Sequence, residues 1–374
     1  GVVKVRLYRP FCAQALIDAI PESVKQITVL DRTKEPGALG EPLYLDVVAA
    51  LKDSKFGGVK VFSGRYGLGS KDTTPAQIVA VYENTAKEKF TIGIVDDVTN
   101  LSLETGAPIV TTPEGTTNCK FWGLGADGTV GANKNSIKII GDNTDMYAQA
   151  YFDYDSKKSG GVTMSHLRFG KKPIKSTYLI HKANFVACHN PSYVNKYNMV
   201  QELVDGGTFL LNCAWDMEGL EKHLPGQVKA FIANHNIKFY TIDGVKIGIE
   251  TGMGPTRINT ILQSAFFKLT GIIPEDQAID LMKAAAKATY GRKGDDVVQK
   301  NWAAIDAGAK QVVEIQVPES WKNAEDEGLH MTHATEGRQD VIDFVNNIQA
   351  KVNAQEGNSL PVSAFKDYVD GTTP

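Results

Sequence analysis

The chain has 374 residues, of which 42% are hydrophobic and 22% charged, and its formal net charge is −3 at pH 7. This composition is that of a globular protein of two or three domains, and its charge gives no general attraction to nucleic acid or to an anionic membrane. No apolar run approaches the roughly 20 residues that cross a bilayer, and no signal peptide opens the chain. We therefore expect neither nucleic acid nor a membrane as a partner.

The chain has four cysteines: Cys12, Cys119, Cys188 and Cys213. None belongs to a C-x-x-C pair, so the usual spacings of zinc and iron–sulfur ligands are absent. We expect free thiols in a reducing cytoplasm and no metal site in this chain. The chain begins at Gly1 rather than at a methionine and ends in turn-rich composition at Pro374, so we expect part of a longer polypeptide or a processed product.

The first part of the chain alternates short apolar runs with helical segments. The predicted strands are Val2–Tyr8, Gln26–Asp31, Val59–Ser63 and Phe90–Ile94, and the predicted helices are Ala13–Ala19, Tyr44–Leu51 and Pro75–Lys87. Strands that alternate with helices are typical of a parallel, doubly wound sheet. The loop Thr105–Asn118 is rich in Thr, Pro and Gly, and it predicts a domain boundary near Pro113.

A second series of strands and helices follows this boundary. The predicted strands are Cys119–Gly123, Tyr151–Tyr154, Gly161–Leu167, Phe185–His189, Thr208–Asn212, Phe239–Asp243 and Val245–Ile249. The predicted helices are one from about Ser136, then Asn259–Leu269, Glu275–Ala288 and, after a polar stretch, Gln339–Ala354. The fold class is therefore α/β: two doubly wound, mostly parallel-sheet domains, residues 1–112 and 113–310, plus an extended C-terminal connector, residues 311–374.

The glycine-rich segment "GLGADGTVGANKNS", Gly123–Ser136, is the most informative part of the sequence. Glycines leave backbone N–H groups free to approach an anion, and the helix that follows directs its positive end toward the same place. The segment lacks the G-K-[ST] ending of a P-loop, and a purely structural turn uses the same residues. Its candidate ligand-binding residues are Gly125, Asp127, Gly128, Thr129, Gly131, Asn133 and Lys134.

Two arginines are further candidates for contact with an anion. Arg168 follows an alternating strand in "TMSHLRFG", and arginine suits bidentate contact with phosphate or carboxylate. Arg257 stands just before a helix in "ETGMGPTRINTILQ", where its charge opposes the helix dipole unless an anion is present. For both arginines an ordinary salt bridge is the alternative. His189 follows an apolar strand, and both an acid–base role and a structural role remain open for it.

Several long motifs together resemble the pyruvate:ferredoxin (flavodoxin) oxidoreductases. They are "LYRPF", "VLDRTKEPGALGEPLYLDV", "GLGADGTVGANKNSIKIIG", "SGGVTMSHLRFG" and "FVACHNPSYVNKYN", and the resemblance extends over essentially the whole chain. It implies that residues 1–112 form a transketolase C-terminal-like domain and that residues 113–310 form a gamma-type domain that handles coenzyme A. Residues 311–374 then lead toward a ferredoxin-like domain outside this chain.

The resemblance also implies a reaction: pyruvate, coenzyme A and oxidised ferredoxin give acetyl-CoA, CO₂ and reduced ferredoxin. Thiamine diphosphate, Mg²⁺ and iron–sulfur clusters are expected elsewhere in the parent enzyme, so this chain carries no catalytic residue and is inactive alone. The expected partners are the remaining domains, ferredoxin or flavodoxin, and a second copy in a cytoplasmic homodimer. Two alternatives stay open: a non-catalytic module that binds an anion or nucleotide, and the same domains in another 2-oxoacid oxidoreductase or a flavin-linked reductase.

Overall fold

The computed structural model describes residues 1–155 and 160–374. These residues divide into two compact units. The first unit joins Gly1–Thr111 to the C-terminal stretch Thr332–Pro374, and the second unit is Thr112–Met331. The domain types expected from the sequence, and their boundaries at residues 112 and 310, stay predictions.

The first unit contains a parallel sheet with helices on both of its faces. Its strands are β1 (Gln26–Asp31), β2 (Lys60–Arg65) and β3 (Lys89–Thr91), and its first helices are α1 (Ala13–Ala19), α2 (Pro42–Leu51) and α3 (Pro75–Glu83). The strand order is β1–β2–β3, and both ladders are parallel. Val29 packs with Leu51 of α2 on one face, whereas Phe62 packs with Val81 of α3 on the other. This is the doubly wound arrangement predicted from the sequence.

The start of α3 shows how the local sequence fixes an element of the first unit. Pro75 occupies the first turn, where its missing N–H costs no hydrogen bond. The Thr74 hydroxyl accepts a hydrogen bond from the Gln77 N–H, and the Gln77 side chain accepts one from the Thr74 N–H. This capping box satisfies donors that the first helical turn otherwise leaves free.

The second unit is built on a mixed sheet. Its strands are β4 (Thr117–Leu124), β5 (Tyr147–Tyr154), β6 (Val162–Gly170), β7 (Ala183–Cys188), β8 (Leu203–Asn212), β9 (Lys238–Ile242) and β10 (Val313–Glu314). Its helices are α4 (Thr129–Asn143), α5 (Met217–His223), α6 (Gly226–Asn234), α7 (Gly244–Glu250), α8 (Asn259–Thr270), α9 (Glu275–Tyr290) and α10 (Asp295–Lys310).

In the part of the chain that the structure describes, the strand order of this sheet is β10–β9–β8–β7–β4–β6–β5. The four neighbouring strands β9, β8, β7 and β4 are parallel, and the outer strands β10, β6 and β5 pair in antiparallel fashion. Helices α5 and α6 cover one face and α4, α8, α9 and α10 cover the other. The α/β class is thus confirmed. The carboxyl ends of β4, β7 and β8 meet at one edge, the usual place for a ligand in such sheets.

The C-terminal stretch belongs to the first unit. It contains α11 (Gln339–Phe344), a π-helical turn at Val345–Gln349 and α12 (Ala350–Asn353). Beyond these helices the Val362 N–H donates to the Val95 carbonyl at 2.9 Å. The Ser363 N–H and hydroxyl both donate to the Asp97 carboxylate, at 2.9 and 2.5 Å. Backbone and side-chain bonds therefore attach this stretch to the segment that follows β3.

Three predicted elements differ from the structure. Residues 2–8 form no strand, and Val2 and Leu7 are about 70% exposed because no neighbouring strand in the described chain pairs with them. Val245–Ile249 is not a strand but lies within α7, which begins when the Asp243 carboxylate accepts a hydrogen bond from the Lys246 N–H at 2.9 Å. Helix α4 begins at Thr129, about two turns earlier than predicted.

Candidate functional site

The side chain of Asp127 holds the glycine-rich loop between β4 and α4. Its carboxylate accepts hydrogen bonds from the Leu124 and Thr129 N–H groups at 2.9 and 2.7 Å, and from the Thr129 hydroxyl at 2.8 Å. A carboxylate at this position also favours the positive end of α4. These bonds are the local reason why the helix begins at Thr129, and they direct the Asp127 charge into the loop.

Gly128 occupies a position that requires glycine. Its φ angle is +90°, in the left-handed region, and a Cβ atom there would lie 2.5 Å from Asn259 Nδ2. Asn259 Nδ2 donates a hydrogen bond to the backbone carbonyl of Asp127, so the start of α8 closes against the loop. Gly128 is the N-cap of α4 and supplies no side-chain cap; Asp127 takes the Thr129 N–H, and the N–H groups of Val130 and Gly131 remain without a helical partner for a ligand to use.

A cavity of about 860 Å³ lies beside this loop. Pockets that bind small molecules commonly measure about 300–1,000 Å³. One wall comes from the loop and the first turns of α4: Ala126, Asp127, Gly128, Gly131, Ala132 and Asn135. Another comes from α9: Met282, Ala285, Ala286, Thr289 and Tyr290. The remaining wall belongs to the segment before α8, to α8 itself and to α10.

Two exposed cations line this cavity, Arg257 from the segment before α8 and Lys293 from the turn after α9. Lys293 Nζ lies 5.4 Å from the centroid of the Tyr290 ring. Among the described residues, neither cation has an ion-pair partner. Both side chains can therefore contact a negatively charged ligand. Asp127 is the one carboxylate among the described lining residues, and its charge is directed into the loop.

Two asparagines of the cavity lining each have an amide oxygen without a partner. Asn301 on α10 is 2% exposed, and its Nδ2 donates to the Val297 carbonyl at 2.8 Å, which leaves Oδ1 without a partner. Asn259 likewise uses Nδ2 toward the loop and leaves Oδ1 without a partner. Both oxygens are buried, so a ligand's N–H or O–H would reach either one only after the asparagine side chain moves.

The structure brings together some of the residues predicted from the sequence. Asp127, Gly128, Gly131 and Arg257 line the cavity. Thr129 and Asn133 are buried behind its wall, and the Gly125 N–H donates to the Gly161 carbonyl at 2.6 Å. The first group is therefore placed to touch a ligand, and the second supports the loop.

Lys134 and Arg168 lie outside the lining of the cavity. Lys134 is exposed, and its Nζ lies 5.4 Å from the centroid of the Phe152 ring. Arg168 is 3% exposed and donates to Gln149 Oε1 at 2.8 Å and to the Tyr178 carbonyl at 2.7 Å. These contacts tie β6 to β5 and to the segment before β7, which is a structural use of the guanidinium.

Sequence reasoning missed Asn259, Lys293 and Asn301. Asn259 lies two residues after Arg257 in the segment "ETGMGPTRINTILQ", so its position next to a candidate cation is a local signal. Asn301 lies in the middle of a long amphipathic helix, where nothing in the local pattern distinguishes it from a surface asparagine. Lys293 follows α9 in the short polar segment "GRKG", which resembles many exposed turns.

His189 lies beneath the loop. It follows β7 directly, and its Nδ1 atom is 2.7 Å from the Thr129 hydroxyl oxygen. Burial lowers the pKa of His189 to about 4, although the nearby Asp127 charge opposes that shift. The imidazole is therefore neutral at neutral pH, and it does not line the cavity.

Within residues 1–155 and 160–374, no group of three or more His, Cys, Asp or Glu side chains is placed to hold a metal ion. The helices of these two ranges are all too short or too polar to cross a membrane. The four cysteines are free thiols, of which Cys12 is exposed and the other three are buried.

Comparison with known proteins gives three family matches along the chain. Residues 118–311 match the family described as pyruvate ferredoxin/flavodoxin oxidoreductase. Residues 1–78 match core domain II of pyruvate:ferredoxin oxidoreductase, and residues 332–374 match a domain of unknown function.

Known relatives extend these matches over the whole chain. A pyruvate:ferredoxin oxidoreductase of Moorella thermoacetica is 53% identical over 378 residues, which cover 100% of this chain and 31% of that protein. A pyruvate-flavodoxin oxidoreductase of Enterobacter agglomerans is 52% identical over 379 residues, covering 100% of this chain and 32% of that protein. The chain thus spans about a third of the length of these relatives.

Among solved structures, a pyruvate oxidoreductase subunit from Thermotoga maritima aligns with 54% of this chain and 100% of its own, with 17% identity and a TM-score of 0.44. The family match over residues 118–311 covers more than half of the chain, and the two relatives cover all of it. The chain therefore belongs to the pyruvate ferredoxin/flavodoxin oxidoreductase family.

Proposed function

We propose that this chain is part of an enzyme that converts pyruvate, coenzyme A and oxidised ferredoxin or flavodoxin to acetyl-CoA, CO₂ and the reduced carrier. In that enzyme the chain binds coenzyme A and supports neighbouring domains, and it is inactive alone. Thiamine diphosphate with Mg²⁺ and the iron–sulfur clusters belong to domains outside this chain. The parent enzyme is a cytoplasmic homodimer that passes electrons to ferredoxin or flavodoxin.

One observation carries the assignment of coenzyme A to this chain. A cavity of about 860 Å³ joins two cations without ion-pair partners to the first turn of α4, where Asp127 takes the Thr129 N–H and leaves those of Val130 and Gly131. The phosphates of coenzyme A match the cations and the helix start. Membership of the family supports the same ligand.

The cationic side of the cavity suits the phosphates. Beside Asp127, which takes the Thr129 N–H, the first turn of α4 still presents the N–H groups of Val130 and Gly131, and Gly131 adds no side chain that would block approach. Arg257 and Lys293 supply full positive charges beside it. Charge-assisted hydrogen bonds of this kind typically contribute about 1.5–3 kcal/mol each.

The neutral side of the cavity suits the longer organic arm of the ligand. Met253, Met282 and Ala286 provide apolar contact, and methionine adapts its shape to irregular ligands.

Titration calorimetry of coenzyme A into this chain tests the proposal. Arg257→Ala and Lys293→Ala should each weaken binding by about tenfold to a hundredfold, because each removes one charge-assisted contact. Lys134→Ala is the matched control: it removes an exposed lysine from α4 that does not line the cavity, and it should change affinity by less than about twofold.

The same substitutions in the full-length parent enzyme separate binding from chemistry. The KM for coenzyme A should rise, whereas thiamine-dependent decarboxylation of pyruvate should persist, because other domains carry it out. If Lys134→Ala weakens coenzyme A binding and Arg257→Ala does not, the ligand lies outside this cavity and the proposal is wrong. If the Arg257 variant loses thiamine diphosphate binding instead, the cavity binds thiamine diphosphate rather than coenzyme A, and the proposal is wrong.

A further inference from the structure

We propose that His189 positions the glycine-rich loop for ligand binding, and that it acts through the Thr129 hydroxyl. His189 Nδ1 lies 2.7 Å from Thr129 Oγ1, which lies 2.8 Å from Asp127 Oδ2. These three side chains form a continuous chain of hydrogen bonds from the sheet edge to the loop. The inference deepens the proposed function and rests on it, because it concerns the same cavity.

The direction of each hydrogen bond in this chain follows from the number of hydrogens. The Asp127 carboxylate only accepts, and it already accepts from two backbone N–H groups. Thr129 has one hydroxyl hydrogen, which it donates to Asp127 Oδ2. Thr129 Oγ1 must therefore accept from His189, so the neutral imidazole carries its hydrogen on Nδ1.

His189 itself is held on both sides by the sheet. Its backbone N–H donates to the Trp122 carbonyl on β4 at 2.9 Å, and its carbonyl accepts from Asn212 Nδ2 at the end of β8 at 2.9 Å. Asn212 Oδ1 in turn accepts from the Gly244 N–H at 2.9 Å. These bonds fix the backbone of His189 at the ends of three neighbouring strands, and the ring that it carries can thus position Thr129.

The Thr129 hydroxyl is enclosed, so no other group replaces it. Thr129 is 0% exposed, and a Cβ atom on Gly123 would lie 2.6 Å from its Oγ1. Removal of the hydroxyl leaves the His189 N–H without its acceptor and takes one of the donors from Asp127 Oδ2. Buried polar groups that lose their partners favour rearrangement, and the segment that these groups hold is the glycine-rich loop.

Two pairs of variants test this inference. Thr129→Val keeps the shape of the side chain and removes the hydroxyl, whereas Thr129→Ser keeps the hydroxyl. His189→Leu removes the ring N–H, whereas His189→Asn places an amide N–H at the position of Nδ1. Within each pair the second substitution should restore what the first one removes.

The measurements are hydrogen exchange of the peptide segment 122–132 and titration of coenzyme A into the whole chain. Thr129→Val and His189→Leu should speed exchange in this segment and weaken coenzyme A binding, each by about tenfold. Thr129→Ser and His189→Asn should stay within about threefold of the unaltered chain in both measurements. Ser264→Ala is the control, since Ser264 is also buried and donates to the Ile305 carbonyl at 2.6 Å away from the loop.

The control should lower the melting temperature without changing exchange in segment 122–132. Unchanged exchange in both Thr129→Val and His189→Leu would show that Asp127 holds the loop without His189. Failure of both restoring substitutions, with the fold retained, would show that packing rather than hydrogen bonding is responsible, and would also overturn the inference. If the unaltered chain binds no coenzyme A, the proposed function fails, while the exchange comparison still decides the role of His189.

Discussion

The side-chain amide of Asn259 donates a hydrogen bond to the backbone carbonyl of Asp127, which lies 132 residues earlier in the chain. Asn259 is the first residue of α8, so this bond joins the start of that helix to the glycine-rich loop. Arg257 lies two residues before Asn259. The same contact therefore fixes the backbone from which the guanidinium reaches the cavity.

Asn259→Ala should lower the free energy of unfolding of the second unit by about 1–2 kcal/mol, because the Asp127 carbonyl loses its donor in a partly buried place. Urea unfolding followed by tryptophan fluorescence measures this quantity. The signal reports the second unit alone, because every tryptophan of the chain lies within it: Trp122, Trp215, Trp302 and Trp321.

The matched control for this substitution is Asn234→Ala. Asn234 also donates its side-chain amide to a backbone carbonyl, that of Lys322 at 3.1 Å, but in an exposed place. Water replaces such a bond, so the loss should stay below about 0.5 kcal/mol. Equal losses at Asn234 and Asn259 would contradict the structural role given to the contact between α8 and the loop.

Gly128→Ala and Gly131→Ala should have opposite effects on stability. At Gly128 the φ of +90° and the 2.5 Å approach of Asn259 Nδ2 predict a loss of about 1–3 kcal/mol. At Gly131, within α4, a Cβ atom meets nothing within 4 Å, so alanine should stabilise the helix by about 0.5–1 kcal/mol. The same fluorescence-detected urea titration compares the two variants, and destabilisation by both would mean that the loop geometry is wrong.

The sequence was informative wherever an element is defined by its own pattern. The apolar run that ends β8 and the amphipathic repeats of α8 and α9 were predicted within a few residues of their bounds. The predicted strand at Val2–Tyr8 has the right alternation, but a strand exists only with a partner, and the described chain provides none. The prediction of a strand at Val245–Ile249 was wrong. The residues there have high β-propensity, but the Asp243 cap stabilises a helix at this position.

The part of the candidate site that local sequence patterns define was also predictable. The glycine-rich loop and Arg257 were found from local signals, namely glycines before a helix and a cation at a helix start. Arg168 has the residue type of a ligand contact, but its strand register directs it toward Gln149 and Tyr178. Asn301 acquires its role from the packing of α10 against the cavity, a long-range arrangement that one sequence does not reveal.

Asp97→Ala should loosen the attachment of segment 360–366 to the segment that follows β3. The Asp97 carboxylate accepts from both the N–H and the hydroxyl of Ser363, and alanine removes both acceptors. Hydrogen exchange of segment 360–366 should therefore become faster. Asp370→Ala is the control, because Asp370 accepts from Thr372 within the same turn and joins no distant segment.

The same contact predicts a pH dependence. Hydrogen bonds from the Ser363 hydroxyl and N–H lower the pKa of Asp97 below its ordinary value of 3.8. A carboxyl group with a lowered pKa stabilises the folded form fully above its ordinary pKa, and this contribution is lost as the pH falls through the lowered value. Exchange in segment 360–366, corrected for its intrinsic rate, should thus be constant from pH 5 to 8 and rise below about pH 3.8 in the unaltered chain. Asp97→Ala should abolish that rise.

The four cysteines should differ sharply in their reactivity toward a thiol reagent. Cys12 is exposed at the start of α1, whereas Cys119, Cys188 and Cys213 are buried. Burial raises the pKa of Cys119 and Cys188 far above the ordinary value and that of Cys213 to about 11, so these side chains stay in the unreactive thiol form at neutral pH.

Ellman's reagent should therefore modify Cys12 rapidly in the native chain and the other three cysteines only after unfolding in urea. Cys12→Ser should remove the rapid phase completely and leave the slow phase unchanged. Urea dependence of the slow phase should follow the tryptophan signal, because the three buried thiols lie in the same unit as the tryptophans. A second rapid thiol in the native chain would mean that β4, β7 or the end of β8 is accessible to solvent, contrary to the packing of the sheet described above.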